Sequence, residues 1–169
     1  MSETAVVTLL FADLVGSTEL LTSLGDDAND KVRRRVLNAL NTAATDHGGE
    51  VVKSAGDGVM VAFRRSAADA VTCAVAMQRA AAAIEHDGTQ LGLQLRIGVS
   101  SGEASHEDGD WFGTPVIEAA RLESAARPGQ ILVSDVVRSI VGTRGGQVFH
   151  SAGKRERLSR LRSDSQPSQ

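Results

Sequence analysis

An internal disulfide is closed to this chain, because it carries a single cysteine, Cys73. A lone thiol fits a reducing compartment. Aromatic residues are almost as scarce, at 3% with no tyrosine and one tryptophan, so a core has to come from Val, Leu, Ile and Ala. No apolar run approaches the roughly 18 residues that cross a bilayer. A charged leader and an A-x-A cleavage site are also missing, and the expected setting is the cytoplasm. There is no surplus of positive charge either. A net charge of -3 argues against broad electrostatic binding to nucleic acid or to an anionic membrane surface. What is present is ordinary for a globular protein: 169 residues, 41% apolar and 23% charged. That is enough for one domain with a sizeable core, expected over residues 1–160, with a polar, disordered tail over 161–169.

The chain opens with a nearly continuous apolar run over residues 4–13, suited to a strand buried on both faces. The run ends at Asp13, and Gly16-Ser17-Thr18 then opens a helix, with Ser17 or Thr18 as its N-cap. Residues 27–47 carry Val32, Val36, Leu40 and Ala43 on one stripe, with Lys31, Arg34 and Arg35 facing away, which predicts an amphipathic helix. Two short strands, 50–54 and 59–63, flank the turn Ala55-Gly56-Asp57-Gly58 and predict a hairpin. A helix is expected from Ser66 to His86, with Ser66 and Asp69 as a capping box. Alternation over 91–100 predicts a strand, followed by a polar loop over 101–112. Thr114-Pro115 reads as an N-cap and first helical residue of a helix reaching about Ala126. A short strand at 131–133, a helix capped by Ser134 and a last strand near 147–150 complete the pattern. The expected fold class is α+β: a ferredoxin-like βαββαβ core with an αβ extension, a mostly antiparallel sheet and helices on one face.

Two carboxylates carry the chemistry. Asp13 lies where a buried strand meets a glycine turn and a helix start, a position that offers a hard oxygen ligand together with free backbone N–H groups. Asp57 lies at a hairpin tip between glycines that allow close approach of a ligand. Each alone is ordinary, since an aspartate before a helix is commonly a cap and Asp-Gly is commonly a turn. Magnesium, however, takes one or two carboxylates and leaves its remaining positions to water and phosphate.

Three separated motifs, in order, resemble the class III nucleotidyl cyclases. Phe11-Ala12-Asp13-Leu14-Val15-Gly16-Ser17-Thr18 is similar to their first metal motif, and Val52-Lys53-Ser54-Ala55-Gly56-Asp57-Gly58 to their second. The stretch Asp110-Trp111-Phe112-Gly113-Thr114-Pro115-Val116, continuing to Ala119-Ala120-Arg121-Leu122, resembles the segment that meets the base and the reacting phosphate. Residues 126–134 also look like the family. The resemblance implies an adenylate cyclase that converts ATP to 3′,5′-cyclic AMP and pyrophosphate. It implies two divalent ions, Mg²⁺ or Mn²⁺, at Asp13, Leu14 and Asp57, and phosphate contacts from Gly16, Ser17 and Thr18. The ions would activate the ribose 3′-hydroxyl and neutralise the triphosphate. Lys53 and Asp110 would read adenine, the lysine donating to a ring nitrogen and the aspartate accepting from the exocyclic amine. Arg121 would stabilise charge developing on the phosphate. The resemblance also implies a homodimer with two shared sites, one subunit giving the aspartate pair and the other Lys53, Asp110 and Arg121.

The chain departs from the family pattern at two places. Where the family carries an asparagine, seven residues after the base-reading aspartate, this chain has Ile117, which can neither donate nor accept a hydrogen bond to the ribose. Near the end, the expected triphosphate-gripping lysine aligns with Ser159, with Lys154, Arg155, Arg157 and Arg160 close by. The competing reading is a weak or inactive cyclase-like domain that binds ATP as a regulatory or dimerisation module. A polymerase-like palm shares the paired carboxylates but not the set Lys53, Asp110 and Arg121.

Overall fold

The computed structural model describes residues 2–15, 18–151 and 158–161. Its centre is β1 (Glu3–Val15), the apolar run anticipated at the start of the chain. Val7 and Leu9 are buried on one side of this strand, and Leu10, Ala12 and Leu14 on the other. Burial on both faces is what a run without alternation is for. The short α1 (Thr18–Ser23) and long α2 (Asp26–Asp46) follow, then the hairpin of β2 (Glu50–Ala55) and β3 (Gly58–Phe63). Helix α3 (Ala67–Ala82) leads through a small hairpin, β4 (Glu85–His86) and β5 (Thr89–Gln90), into β6 (Gln94–Glu107) and β7 (Asp110–Phe112). The chain continues through α4 (Thr114–Ala125), β8 (Ile131–Ser134), α5 (Asp135–Val141), β9 (Phe149–Ser151) and β10 (Leu158–Leu161).

The sheet order is β2-β3-β1-β6-β8-β10-β9, with β7 pairing to β6. Only β6 and β8 among these pairs run parallel, so the α+β class with a mostly antiparallel sheet holds. Helices α2, α3 and α5 cover one face over a core that includes Val32, Val36, Leu40, Val71, Val75 and Val137. The expectation of helices on a single face does not extend to α4. That helix lies on the opposite face with Val7, Leu9, Met60 and Trp111. Gly98 permits the approach, since a Cβ there would stand 2.3 Å from the Ala119 carbonyl oxygen and 2.3 Å from the Glu123 nitrogen. A glycine in a strand marks close approach of another backbone in this way.

The polar loop expected over 101–112 is instead the outer half of β6 and the whole of β7. Among its polar side chains, Ser101 finds partners within the sheet, while the buried His106 Nε2 has none among the described residues. The Ser101 and Thr8 hydroxyls lie 2.6 Å apart, and Ser101 Oγ also donates to the Val7 carbonyl oxygen at 3.3 Å. Asp108 and Gly109 both have positive φ, 50° and 78°, the turn conformation that joins two strands with the sheet's own twist. Smaller corrections concern caps. Gly113, not Thr114, is the N-cap of α4, and Ser66 caps α3 without a side-chain hydrogen bond. Ser134 does cap α5, its hydroxyl accepting from the Val137 N–H. β9 (Phe149–Ser151) is the last strand expected near 147–150, and β10 extends the sheet beyond it. The tail after residue 161 lies outside the described residues.

Candidate active site

The sheet brings Asp13 and Asp57 to one rim. Asp13 is near the end of β1, and Asp57 sits in the β2–β3 turn, whose Gly56 has a φ of +58°. The Leu14 N–H donates to the Asp57 carbonyl oxygen at 2.9 Å, which ties the turn to β1. Gly58 pairs with Asp13 across the strands. A Cβ at Gly58 would stand 2.8 Å from the Ala12 carbonyl oxygen and 3.3 Å from Asp13 Oδ1, so glycine keeps the space beside the carboxylate open. Burial, then the negative charge of Asp57, pushes the Asp13 carboxyl above the ordinary aspartate range, against the opposing pull of Arg96. Asp57 is engaged by Arg33 of α2, whose Nη1 donates to Oδ1.

A divalent cation fits this arrangement. Two partly buried carboxyl groups repel one another beside a glycine that leaves room, and a cation would relieve that repulsion. Among the described residues no three His, Cys, Asp or Glu side chains converge as metal ligands. A hard ion held here would complete its shell from water and phosphate. Leu14 is buried in the core, so its backbone carbonyl is the only oxygen it can offer. Gly16 and Ser17 lie outside the described residues, and Thr18 begins α1.

Beside Asp13 opens a cavity of about 280 Å³, bordered by Phe11, Lys53, Gly58, Met60 and Glu123. Two of its charged neighbours were not anticipated from sequence. Arg96 stands directly opposite Asp13 in the β1–β6 register, and its buried Nε has no partner among the described residues. Glu123 faces the sheet from α4. Burial, followed by the charge of Asp13, raises its pKa, while Arg96 lowers it. Arg33 is the third unanticipated charge. Its signal is pairing across elements, which no local pattern carries. For Glu123 a local signal existed: two residues beyond Arg121, it lies about 200° round the helix and so faces inward if Arg121 faces out.

The second cluster joins β2 to β7. Lys53 Nζ donates to Asp110 Oδ2 at 3.0 Å across 57 residues of sequence. Asp110 Oδ1 accepts from the Trp111 N–H at 2.8 Å. The hydrogen bond from Lys53, more than any other influence, holds the Asp110 carboxyl below its ordinary range. Arg121 is exposed on α4 and makes no ion pair among the described residues. Ile117, one turn earlier, is 54% exposed, and Phe112 at the end of β7 is 52% exposed. Residues 154, 155 and 157 lie outside the described residues. Ser159 and Arg160 belong to β10, paired to β8 and β9.

A sequence profile of the adenylate and guanylate cyclase catalytic domain matches residues 1–157. The chain belongs to that family. It is 37% identical over 149 residues to a putative adenylate cyclase of Rhizobium meliloti, covering 88% of this chain and 25% of the relative. It is 34% identical to a pH-sensitive adenylate cyclase of Mycobacterium tuberculosis, covering 80% and 32%. The chain thus spans between a quarter and a third of these two curated relatives. Among solved structures, an adenylate/guanylate cyclase/hydrolase from Silicibacter pomeroyi superposes with a TM-score of 0.76 at 31% identity, covering 96% of this chain and 99% of that one. The adenylyl cyclase CyaB from P. aeruginosa gives 0.73 at 26% identity, covering 98% and 97%. Members of this cyclase family generally use divalent metal ions.

Proposed function

We propose that this cyclase domain is an adenylate cyclase, forming 3′,5′-cyclic AMP and pyrophosphate from ATP. The observation that carries the choice of ATP is the Lys53–Asp110 pair at 3.0 Å. A lysine donor beside an aspartate acceptor matches the ring nitrogen and exocyclic amine of adenine, whereas the carbonyl oxygen of guanine would meet a carboxylate. Asp13, Asp57 and the Leu14 carbonyl would hold two divalent ions, Mg²⁺ or Mn²⁺. Bound there, the ions would lower the pKa of the ribose 3′-hydroxyl and offset the triphosphate charge. Lys53 and Asp110 orient the base. Arg121, with no competing partner among the described residues, is free to meet charge developing on the α-phosphate as the 3′-oxygen attacks and pyrophosphate leaves. Gly16, Ser17 and Thr18 are assigned to the phosphates by position in the first motif.

The domain acts as a homodimer with two shared sites, the aspartate pair of one subunit meeting Lys53, Asp110 and Arg121 of the other. The exposed Phe112, on the same strand as Asp110, and the exposed Ile117 and Arg121 on α4 support a partner surface. Ile117 favours the second reading, a domain that binds ATP and turns it over slowly or not at all. The deciding experiment measures cyclic AMP from the purified domain with Mn²⁺-ATP and with Mn²⁺-GTP. Product from ATP that vanishes in Asp13→Ala is expected. Binding of ATP without product at high protein concentration establishes the second reading, and preferred turnover of GTP overturns the roles given to Lys53 and Asp110.

A further inference from the structure

Arg33 has no part in the chemistry described so far, yet it is held at the acid pair from two sides. Its neighbours Val32 and Val36 anchor α2 in the core, which leaves Arg33 at the rim beside the β2–β3 turn. Its Nε donates to Asn29 Oδ1 at 2.9 Å, one turn back on the same helix, and its Nη1 donates to Asp57 Oδ1. The guanidinium is planar, so fixing it at Nε fixes the direction of its outer nitrogens as well. Neither side chain of the ion pair is widely exposed, at 30% for Arg33 and 32% for Asp57.

The charges around it explain why a cation is wanted there. Asp13, Asp57 and Glu123 put three carboxyl groups near one rim, and Arg96 alone faces Asp13 from β6. Partly desolvated like charges repel strongly, so without a metal the site needs a cation of its own. A carboxylate oxygen occupied by a guanidinium N–H is not open to a metal ion on that side, and a divalent cation placed beside the guanidinium would be repelled by it.

We propose that Arg33 is a built-in stand-in for the metal: it occupies the Asp57 carboxylate in the ligand-free domain, must give way when a divalent ion enters, and so sets the affinity of the site. This rests on the reading of Asp57 as a metal ligand. Asn29 is then the positioning residue that keeps the guanidinium on target.

Binding of Mn²⁺ to the purified domain without nucleotide, followed by the electron paramagnetic resonance of the free ion, tests it. Arg33→Gln should tighten binding by roughly two- to five-fold, the range spanned by a modest ion pair. Asn29→Ala, which frees the guanidinium but keeps its charge, should tighten it less. In a Mg²⁺ titration the Arg33 Nε–H resonance, identified from its loss in Arg33→Gln, should shift in step with saturation. Unchanged or weaker Mn²⁺ binding in Arg33→Gln, or an Arg33 resonance that stays put at saturation, overturns the proposal. Asp57→Asn separates it from its premise. If Asp57→Asn binds Mn²⁺ as tightly as the parent, the metal-ligand reading of Asp57 is what fails. If Asp57→Asn weakens binding while Arg33→Gln changes nothing, only the stand-in role fails.

Discussion

In the proposed reaction Ile117 stands where a polar contact to the ribose would act, and its effect on the rate can be measured. It lies one helical turn before Arg121, so the two share a face of α4, and at 54% exposure it packs against little within the chain. Replacing it with asparagine should therefore leave stability within about 0.5 kcal/mol, as for most surface substitutions. If the missing polar contact limits the reaction, Ile117→Asn should raise turnover of Mn²⁺-ATP by about 10²-fold, the scale of one deleted transition-state donor. An unchanged rate with an unchanged melting temperature would mean that the site does without that contact. Ile117 was legible from sequence because it breaks a spaced motif, as were Lys53 and Asp110, which the fold brings to 3.0 Å. Arg33 and Arg96 were not, and Glu123 was readable only through its angle to Arg121. Each is an ordinary charged residue on a helix or strand, and its significance comes from what stands opposite it in space: Asp57, Asp13 and the cavity wall.

At the scale of elements, the site depends on how closely α4 can lie on the sheet, because that helix carries Ile117, Arg121 and Glu123. Gly98 is the contact point. An alanine there would put its Cβ 2.3 Å from two backbone atoms of α4, and backbone cannot give way as a flexible side chain does. Gly98→Ala should cost about 1–3 kcal/mol, the usual size of an overpacking penalty, which lowers the melting temperature by roughly 2–12 °C in a domain of this length. Cyclase activity should fall with it as α4 is pushed outward. Gly102, four residues along the same strand, is the control, since its nearest contact would be Pro115 Cγ at 3.6 Å and Gly102→Ala should be tolerated. Equal melting temperatures for the two variants would show that the approach of α4 at Gly98 is not tight. The same pair of elements explains where the sequence misled. A continuous apolar run found β1, the glycine turn found the β2–β3 hairpin, and regular apolar spacing found α2 and α3, although the helix expected to reach His86 ends at Ala82. The outer half of β6 failed the same reading: its serines look like loop, and only pairing with β1 shows that the Ser101 hydroxyl is satisfied inside the sheet by Thr8. The position of α4 on the other face rests on a missing side chain at Gly98, which looks like any other glycine until the helix is in place.

The whole molecule leaves one question of assembly open to decision. Asp13 and Lys53 border the same cavity in a single chain, so a site completed within one subunit is a geometric alternative to a site shared between two. Against it, the Lys53 ammonium is turned to Asp110, and Arg121 is exposed without an ion-pair partner among the described residues. The exposed Phe112 and Ile117 would lose their contact with water against a second copy, which an isolated chain cannot arrange. The two architectures differ in one measurable respect. In a shared site, Asp57→Ala and Lys53→Ala disable different halves. A mixed dimer of the two variants then contains one site in which both residues are intact and one in which both are lost. Random mixing makes half of the dimers mixed, so equal amounts of the two inactive proteins should recover about a quarter of the parent activity. A site contained in one chain predicts no recovery at any ratio, because each subunit carries its own defect with it. The experiment therefore reads the assembly directly, provided that mixed dimers are shown to form by native mass spectrometry. Recovery near a quarter supports the two-fold arrangement, and none, with mixed dimers present, assigns the chemistry to the single chain.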